Sequence, residues 1–129
     1  MSKNSVTFGP LSQNQIADYA DASGDFNKIH LDADFARAAG LPGTIVHGML
    51  TMGLVGEALK EFGIESAHIA EFETKFKDIV PVNSRIVVHV ESLSEDRRRI
   101  ALKATAEDGR EICHSSITLK EPLSAKSAL

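Results

Sequence analysis

Asp25, Asn27 and His30 place a carboxylate, a carboxamide and an imidazole within six residues. An imidazole, with an unperturbed pKa of about 6.5, takes up and returns protons near neutral pH. A carboxylate five residues upstream in a loop can fold back towards it, giving an acid/base pair at one point. A plainer reading stands beside this one, because short polar residues between helices usually cap backbone groups. Ile29 and Leu31 flank His30 and draw its ring against the core, which favours the chemical reading. A second piece, His47-Gly48, stands at the head of a long apolar run. It reads as a helix start that needed a small residue, or as an electrophile-polarising helix end. The first N–H groups of a helix are unpaired and carry partial positive charge. A carbonyl oxygen at the Gly48 N–H would be polarised in the manner of an oxyanion hole, and no side chain would hinder its approach.

Metal chemistry finds less support. Asp21-x-Ser23-x-Asp25-x-Asn27 copies the ligand spacing of a calcium loop, but Phe26 stands where that loop needs glycine and Asp32 where it needs glutamate. His30, His47, His68, His89 and His114 are scattered, without the short spacing of zinc ligands. The last three fall in strand patterns, and no metal or organic cofactor is expected. Neither a nucleotide-binding glycine loop nor a Gly-x-Ser-x-Gly elbow is present. Arg97-Arg98-Arg99 reads as a solvated turn.

Helices must position these residues. Val6 and Phe8 suggest a short opening strand, and Ser12 with Gln15 forms a capping-box pattern. Ile16, Tyr19, Ala20 and Ser23 then share one helical face, which Gly24 ends. Asp32 can cap a short helix to Ala39, with Leu31 and Ala36 placed for a hydrophobic staple and Gly40 and Pro42 as its stop. From Gly48 to Phe62 apolar residues lie on almost every side, the pattern of a buried helix. Gly48, Gly53 and Gly56 each cost about 1 kcal/mol of helix propensity there, which points to close approach by a backbone or a ligand. Beyond it the period changes to two: Ala70, Phe72, Thr74 and Phe76, then Ile86, Val88 and Val90, then Ile100, Leu102, Ala104 and Ala106. Asp108-Gly109 marks a tight hairpin, and a last strand runs from Ile112 to Leu119, with a fraying tail after Pro122. Helices first and antiparallel strands afterwards describe an α+β fold in one domain, 1–129.

A chain of 129 residues suffices for one core. Its net charge of −4 and absence of Trp give no reason to expect nucleic acid. Cys113 is the single cysteine, so no internal disulfide forms. Residues 1–6 carry no apolar signal core, and no apolar run reaches membrane-spanning length. The expectation is a cytoplasmic protein.

Tyr19-x-x-x-Ser23-Gly24-Asp25-x-Asn27-x-Ile29-His30, with Ala36 following, resembles the hydratase-2 motif of the MaoC-like family. Val46-His47-Gly48-Met49-Leu50 is similar to that family's second signature. The resemblance spans roughly residues 15 to 120 and implies the hot-dog fold, a long central helix wrapped by a curved antiparallel sheet, usually dimeric. It implies reversible hydration of trans-2-enoyl thioesters, on CoA or acyl carrier protein, to (R)-3-hydroxyacyl thioesters. Asp25 and His30 would be the catalytic pair, Asn27 would orient them, and the Gly48 N–H would polarise the thioester carbonyl. His47, Met49, Met52, Gly53, Gly56 and Phe72 would border the acyl pocket. Two residues depart from the family: Lys28 stands where many members have proline, and Gly56 near the place of a serine in several. Asn-Lys-Ile-His and His-Gly-Met-Leu-Thr-Met-Gly instead look like the catalytic subunit of mycobacterial β-hydroxyacyl-ACP dehydratases, which are heterodimers. A homodimer is the first expectation and a heterodimer the second. Thioester hydrolysis on the same fold, and a non-catalytic acyl-binding subunit, are the rival functions.

Overall fold

The computed structural model of the protein describes residues 4–124, 127 and 129. Four helices come first: after the strand β1 (Ser5–Phe8) follow α1 (Gln13–Ser23), α2 (Lys28–Leu31), α3 (Ala33–Ala38) and α4 (Gly48–Glu61). A 3-10 turn at Ser66–His68 leads into β2 (Ile69–Phe76), β3 (Ile86–Leu93), β4 (Arg99–Ala106) and β5 (Glu111–Leu119). Local chemistry sets the helix ends. The Ser12 hydroxyl accepts from the Gln15 N–H at 3.2 Å, and Gln15 Oε1 accepts from the Ser12 N–H at 2.8 Å. Such a cap contributes about 1 kcal/mol. Gly24 ends α1 in the left-handed region, φ 77°. The Asp32 carboxylate caps α3 by accepting from the Phe35 N–H at 3.1 Å. At the far end of α4, Gly63 turns left-handed and the Ile64 N–H donates to the Leu59 carbonyl at 2.9 Å.

The five strands form one antiparallel sheet in the order β1-β3-β4-β5-β2. Side chains alternate across a strand, so Ile86 and Val88, Ile100, Leu102 and Ala104, and Ile117 and Leu119 reach one face. There they meet Val55, Ala58, Leu59 and Phe62 of α4 and Ile16 of α1 in a single core. The β4–β5 hairpin closes at Gly109, whose N–H donates to the Ala106 carbonyl at 3.0 Å. The α+β arrangement agrees with the sequence pattern.

Four local expectations are corrected. α4 is buried on one face only: Thr51, Val55, Ala58 and Leu59 point inward, whereas Met49 is 60% exposed. The chain has one sheet to lay against it, and that covers half a cylinder. A bulge between Ile69 and Glu71 breaks the alternation of β2, leaving Ala70 outside while Ile69 and Phe72 pack on the core. Leu31 is exposed although Ala36 is buried, so no staple draws it in, and His68 belongs to the 3-10 turn rather than a strand.

The arginine run is a solvated turn only in part: Arg98 and Arg99 are exposed, but Arg97 is half-buried. The Arg97 guanidinium donates to the backbone oxygens of Leu123, Ser124 and Leu129, and Arg98 donates to those of Leu119 and Lys120. Of the tail expected to fray after Pro122, residues 125, 126 and 128 lie outside the described residues. Among the described residues, no helix is long and apolar enough to cross a membrane.

Cys113 is fully buried in β5, and burial pushes its thiol above the ordinary cysteine value despite a hydrogen bond with Ser115. A thiolate is the reactive species. The native chain should therefore resist a disulfide reagent at mildly alkaline pH and release one equivalent of thiol only on unfolding. Rapid labelling of the folded protein would contradict this packing.

Candidate active site

Asp25 and His30 meet where α1 ends and α2 begins. Gly24 turns the chain out of α1, and a series of short side-chain bonds then folds the loop. Asp25 N–H donates to the Ser23 hydroxyl, Asn27 N–H to Asp25 Oδ1, and Ile29 N–H to Asn27 Oδ1. The capping reading thus describes this loop. Asp25 Oδ1 holds the turn, and Oδ2 faces away from it towards His30. Asn27 acts on Asp25 through its main-chain N–H, while its side chain caps α2.

His30 is buried, and its Nδ1 lies 2.8 Å from the Ile45 carbonyl oxygen. A carbonyl only accepts, so Nδ1 carries the proton and Nε2 presents a lone pair. That Nε2 lies 4.0 Å from Asp25 Oδ2. Such a span is too long for a hydrogen bond, yet one oxygen atom bridges it by bonding to both groups. The pair therefore frames a place for a water or hydroxyl oxygen. Asp25, the outer member, is 52% exposed at its side chain.

The loop is held from behind by residues that sequence reasoning passed over. Gln13 Nε2 donates to the His30 carbonyl at 2.8 Å, and Gln13 Oε1 accepts from the Thr44 hydroxyl at 2.6 Å. Ile45 N–H donates to the Ile29 carbonyl at 3.1 Å. Nothing in the local pattern signals these partners, because they are separated by 17, 31 and 16 positions along the chain.

His47 joins the second piece to the first. Its ring stacks on that of His30, with centroids 3.8 Å apart and planes 24° apart, and its Nε2 lies 3.1 Å from the Asp25 carbonyl oxygen. Buried as it is, it stands behind the pair. Gly48 follows immediately and opens α4, whose N-terminus has no side-chain cap. Among the described residues its N–H has no hydrogen-bond partner. A methyl group on Gly48 would meet the Phe76 ring at 3.4 Å, so that aromatic ring covers one side of the helix end. Gly56 stands similarly against Phe72 at 3.5 Å, whereas Gly53 faces open space. Met49, Met52, Gly53 and Gly56 recur at helical spacing on the less covered side of α4, Met49 and Gly53 exposed and Met52 and Gly56 half-buried, with Phe72 at the edge.

Asp25, His30 and His47 each offer a ligating atom within 4.8 Å of the others, a convergence that zinc-finger spacing could not reveal. The ring geometry does not suit a metal ion. An imidazole binds a metal in its own plane, and two rings stacked 3.8 Å apart cannot both direct a lone pair at one ion. His47 Nε2 is in addition committed to a backbone carbonyl.

A long helix on a five-stranded antiparallel sheet, with a polar loop at the helix's head, defines a hot-dog domain. The family model for the MaoC-like domain matches residues 3–111, and the chain belongs to that family. Among curated proteins it is 30% identical over 119 residues to the fatty acid synthase β subunit hexB of Dothistroma septosporum, covering 88% of this chain and 6% of that one. It is 28% identical over 109 residues to the fatty acid synthase β subunit of Saccharomyces cerevisiae, covering 81% and 5%. The chain thus spans about a twentieth of the length of these relatives. Among solved structures it resembles the (R)-hydratase from A. caviae involved in PHA biosynthesis, with TM-score 0.75, 24% identity and coverage of 95% and 97%. It also resembles the ChsH1-ChsH2 complex from Mycobacterium tuberculosis, with TM-score 0.72, 19% identity and coverage of 92% and 98%.

Proposed function

We propose that the protein is a cytoplasmic hydro-lyase that adds water reversibly to trans-2-enoyl thioesters of CoA or acyl carrier protein, giving (R)-3-hydroxyacyl thioesters. The observation that carries this reading is the 4.0 Å span between Asp25 Oδ2 and His30 Nε2, beside an uncapped helix end at Gly48. A water in that span donates one hydrogen to Asp25 and one to His30. As its oxygen bonds to C3, the His30 Nε2 takes a proton. The electron pair of the double bond moves towards the thioester oxygen, where the Gly48 N–H stabilises the developing negative charge. A proton returned from the pair to C2, on the same face, completes the addition. Membership of the MaoC-like family and the likeness to fatty acid synthase β subunits support an acyl thioester as the substrate class.

Steady-state loss of enoyl absorbance across short to long enoyl-CoAs tests the reading. Release of free thiol with the enoyl absorbance intact would replace it with thioester hydrolysis. Binding of acyl-CoA without either change would leave an acyl-binding subunit.

The less covered side of α4 supports a second chain at the site. β2 is an edge strand of the sheet, Phe76 at its end is 48% exposed, and Met49 beside the helix head is more open still. An unpaired edge next to exposed apolar side chains is an association surface. A homodimer, of twice the 13.9 kDa chain mass, would cover both. On dilution, specific activity should fall in parallel with the dimer fraction measured by sedimentation. A monomer working at the full rate would remove the partner from the site, and a chain active only with a different subunit would make the pair a heterodimer.

A further inference from the structure

His47 is 2% exposed, too enclosed for the wall of an open acyl pocket. Its surroundings define its state. Nε2 faces the Asp25 carbonyl oxygen at 3.1 Å, and because that oxygen can only accept, Nε2 carries the proton. Among the described residues, its buried Nδ1 has no hydrogen-bond partner. With the one proton of a neutral ring on Nε2, Nδ1 is a bare acceptor.

The position itself breaks a local rule. His47 is the N-cap of α4, where Ser, Thr, Asp or Asn would normally turn back to cap the helix. Its side chain makes no such bond and reaches across to the Asp25 loop. Departures of this kind concentrate where function outweighs local stability. The Tyr19 ring, 4.8 Å away and tilted by 58°, helps enclose it.

We propose that His47 is a positioning residue for the Asp25–His30 pair, held with a proton on Nε2. Its single hydrogen bond fixes the main chain of Asp25, and its ring face fixes the plane of His30. One residue thereby sets the span between the two reacting groups and ties both to the helix end at Gly48. This role rests on the hydration reading for its kinetic consequences, but the tautomer does not depend on it.

Nitrogen-15 NMR of the unmodified protein reads the tautomer directly. The expected spectrum of the neutral ring shows its proton on Nε2, and an Nδ1–H tautomer overturns the proposal. The kinetic arm compares His47→Leu, which removes the donor, with His47→Gln, which keeps an N–H near the place of Nε2. On crotonyl-CoA, His47→Leu should lower kcat about 10- to 100-fold, as small misplacements of reacting groups do, with KM within about twofold. His47→Gln should recover most of that loss. A raised KM at unchanged kcat would make His47 a substrate contact. Equal losses in both variants would make it packing, and either result overturns the proposal. A wild-type chain that hydrates nothing refutes the functional reading, while the NMR result still decides the tautomer. Should His47→Leu fail to fold, His47→Gln at near wild-type kcat, with the expected tautomer, carries the proposal, and His47→Gln at a crippled kcat overturns it.

Discussion

Asp25→Asn lowers the hydration rate on crotonyl-CoA on the order of 10²-fold or more, the expected cost of losing a general acid/base group, and leaves the fold as it was. The structural half of this expectation follows from how the two carboxylate oxygens are used. Oδ1 accepts from the Asn27 N–H, and an asparagine oxygen accepts there equally well. Oδ2 faces His30 Nε2 across 4.0 Å, and there an amide can neither carry the charge nor take a proton. His30 needs more care, because its Nδ1 also satisfies the buried Ile45 carbonyl. Removing one partner of a buried hydrogen bond costs about 1–3 kcal/mol, so His30→Ala confounds rate with stability. His30→Asn retains a donor near Nδ1 and loses only Nε2. Both His30 variants should fall as far as Asp25→Asn in rate, and only His30→Ala should melt clearly earlier. Near-normal hydration by Asp25→Asn or His30→Asn, measured by the enoyl absorbance, would sink the assigned pair.

The elements that position the pair were legible wherever a local rule suffices. Ser12 with Gln15, Gly24 and Asp32 each act within a few residues, and the structure uses all of them as the sequence suggests. The period-two runs gave strands for the same reason. The strand order was not legible, because placing β2 beside β5 at the edge depends on pairs 37 to 50 residues apart in the chain. The α4 pattern shows the same limit from the other side. Its apolar residues all round suggested complete burial, but one chain supplies cover for one face. At the site, the sequence brought Asp25 to His30 through the loop and proposed that His47-Gly48 meets them. What it missed is the manner of meeting, with a buried imidazole turned away from its own helix to hold the loop. Gln13 and Thr44 escaped notice because a glutamine in a first helical turn and a threonine before a short bridge are ordinary everywhere. The arginine run misled in part for a related reason: charge at a turn reads as solvation, and only the returning chain reveals the carbonyls it binds.

Phe62→Ala supplies the contrasting case, a large loss of stability with little change in rate per folded molecule. Phe62 is 2% exposed and closes the C-terminus of α4, its N–H donating to Ala58 and Leu59. Replacing a buried phenylalanine by alanine costs about 3–5 kcal/mol, a large share of the roughly 5–15 kcal/mol that holds a domain together. A half-open pocket of about 580 Å³ is lined by Phe62, Ile64, Leu119 and Leu123 among others. Side chains bordering it can relax into the vacated space, which places the expected loss nearer 3 than 5 kcal/mol. The melting temperature should accordingly fall on the order of 10 °C. The rate should not follow it, because a helix of fourteen residues puts about 20 Å between this end and Gly48. The site end has its own fastenings, Val46 N–H to the Val80 carbonyl at 2.8 Å and His47 to Asp25 at 3.1 Å. Assayed well below its melting temperature, Phe62→Ala should keep kcat within about twofold, the size of change expected when no transition-state contact is lost. A tenfold loss in the folded variant would show that core packing at the far end of α4 reaches the pair. The helix would then have to be treated as one rigid lever rather than as a scaffold whose head is fixed locally.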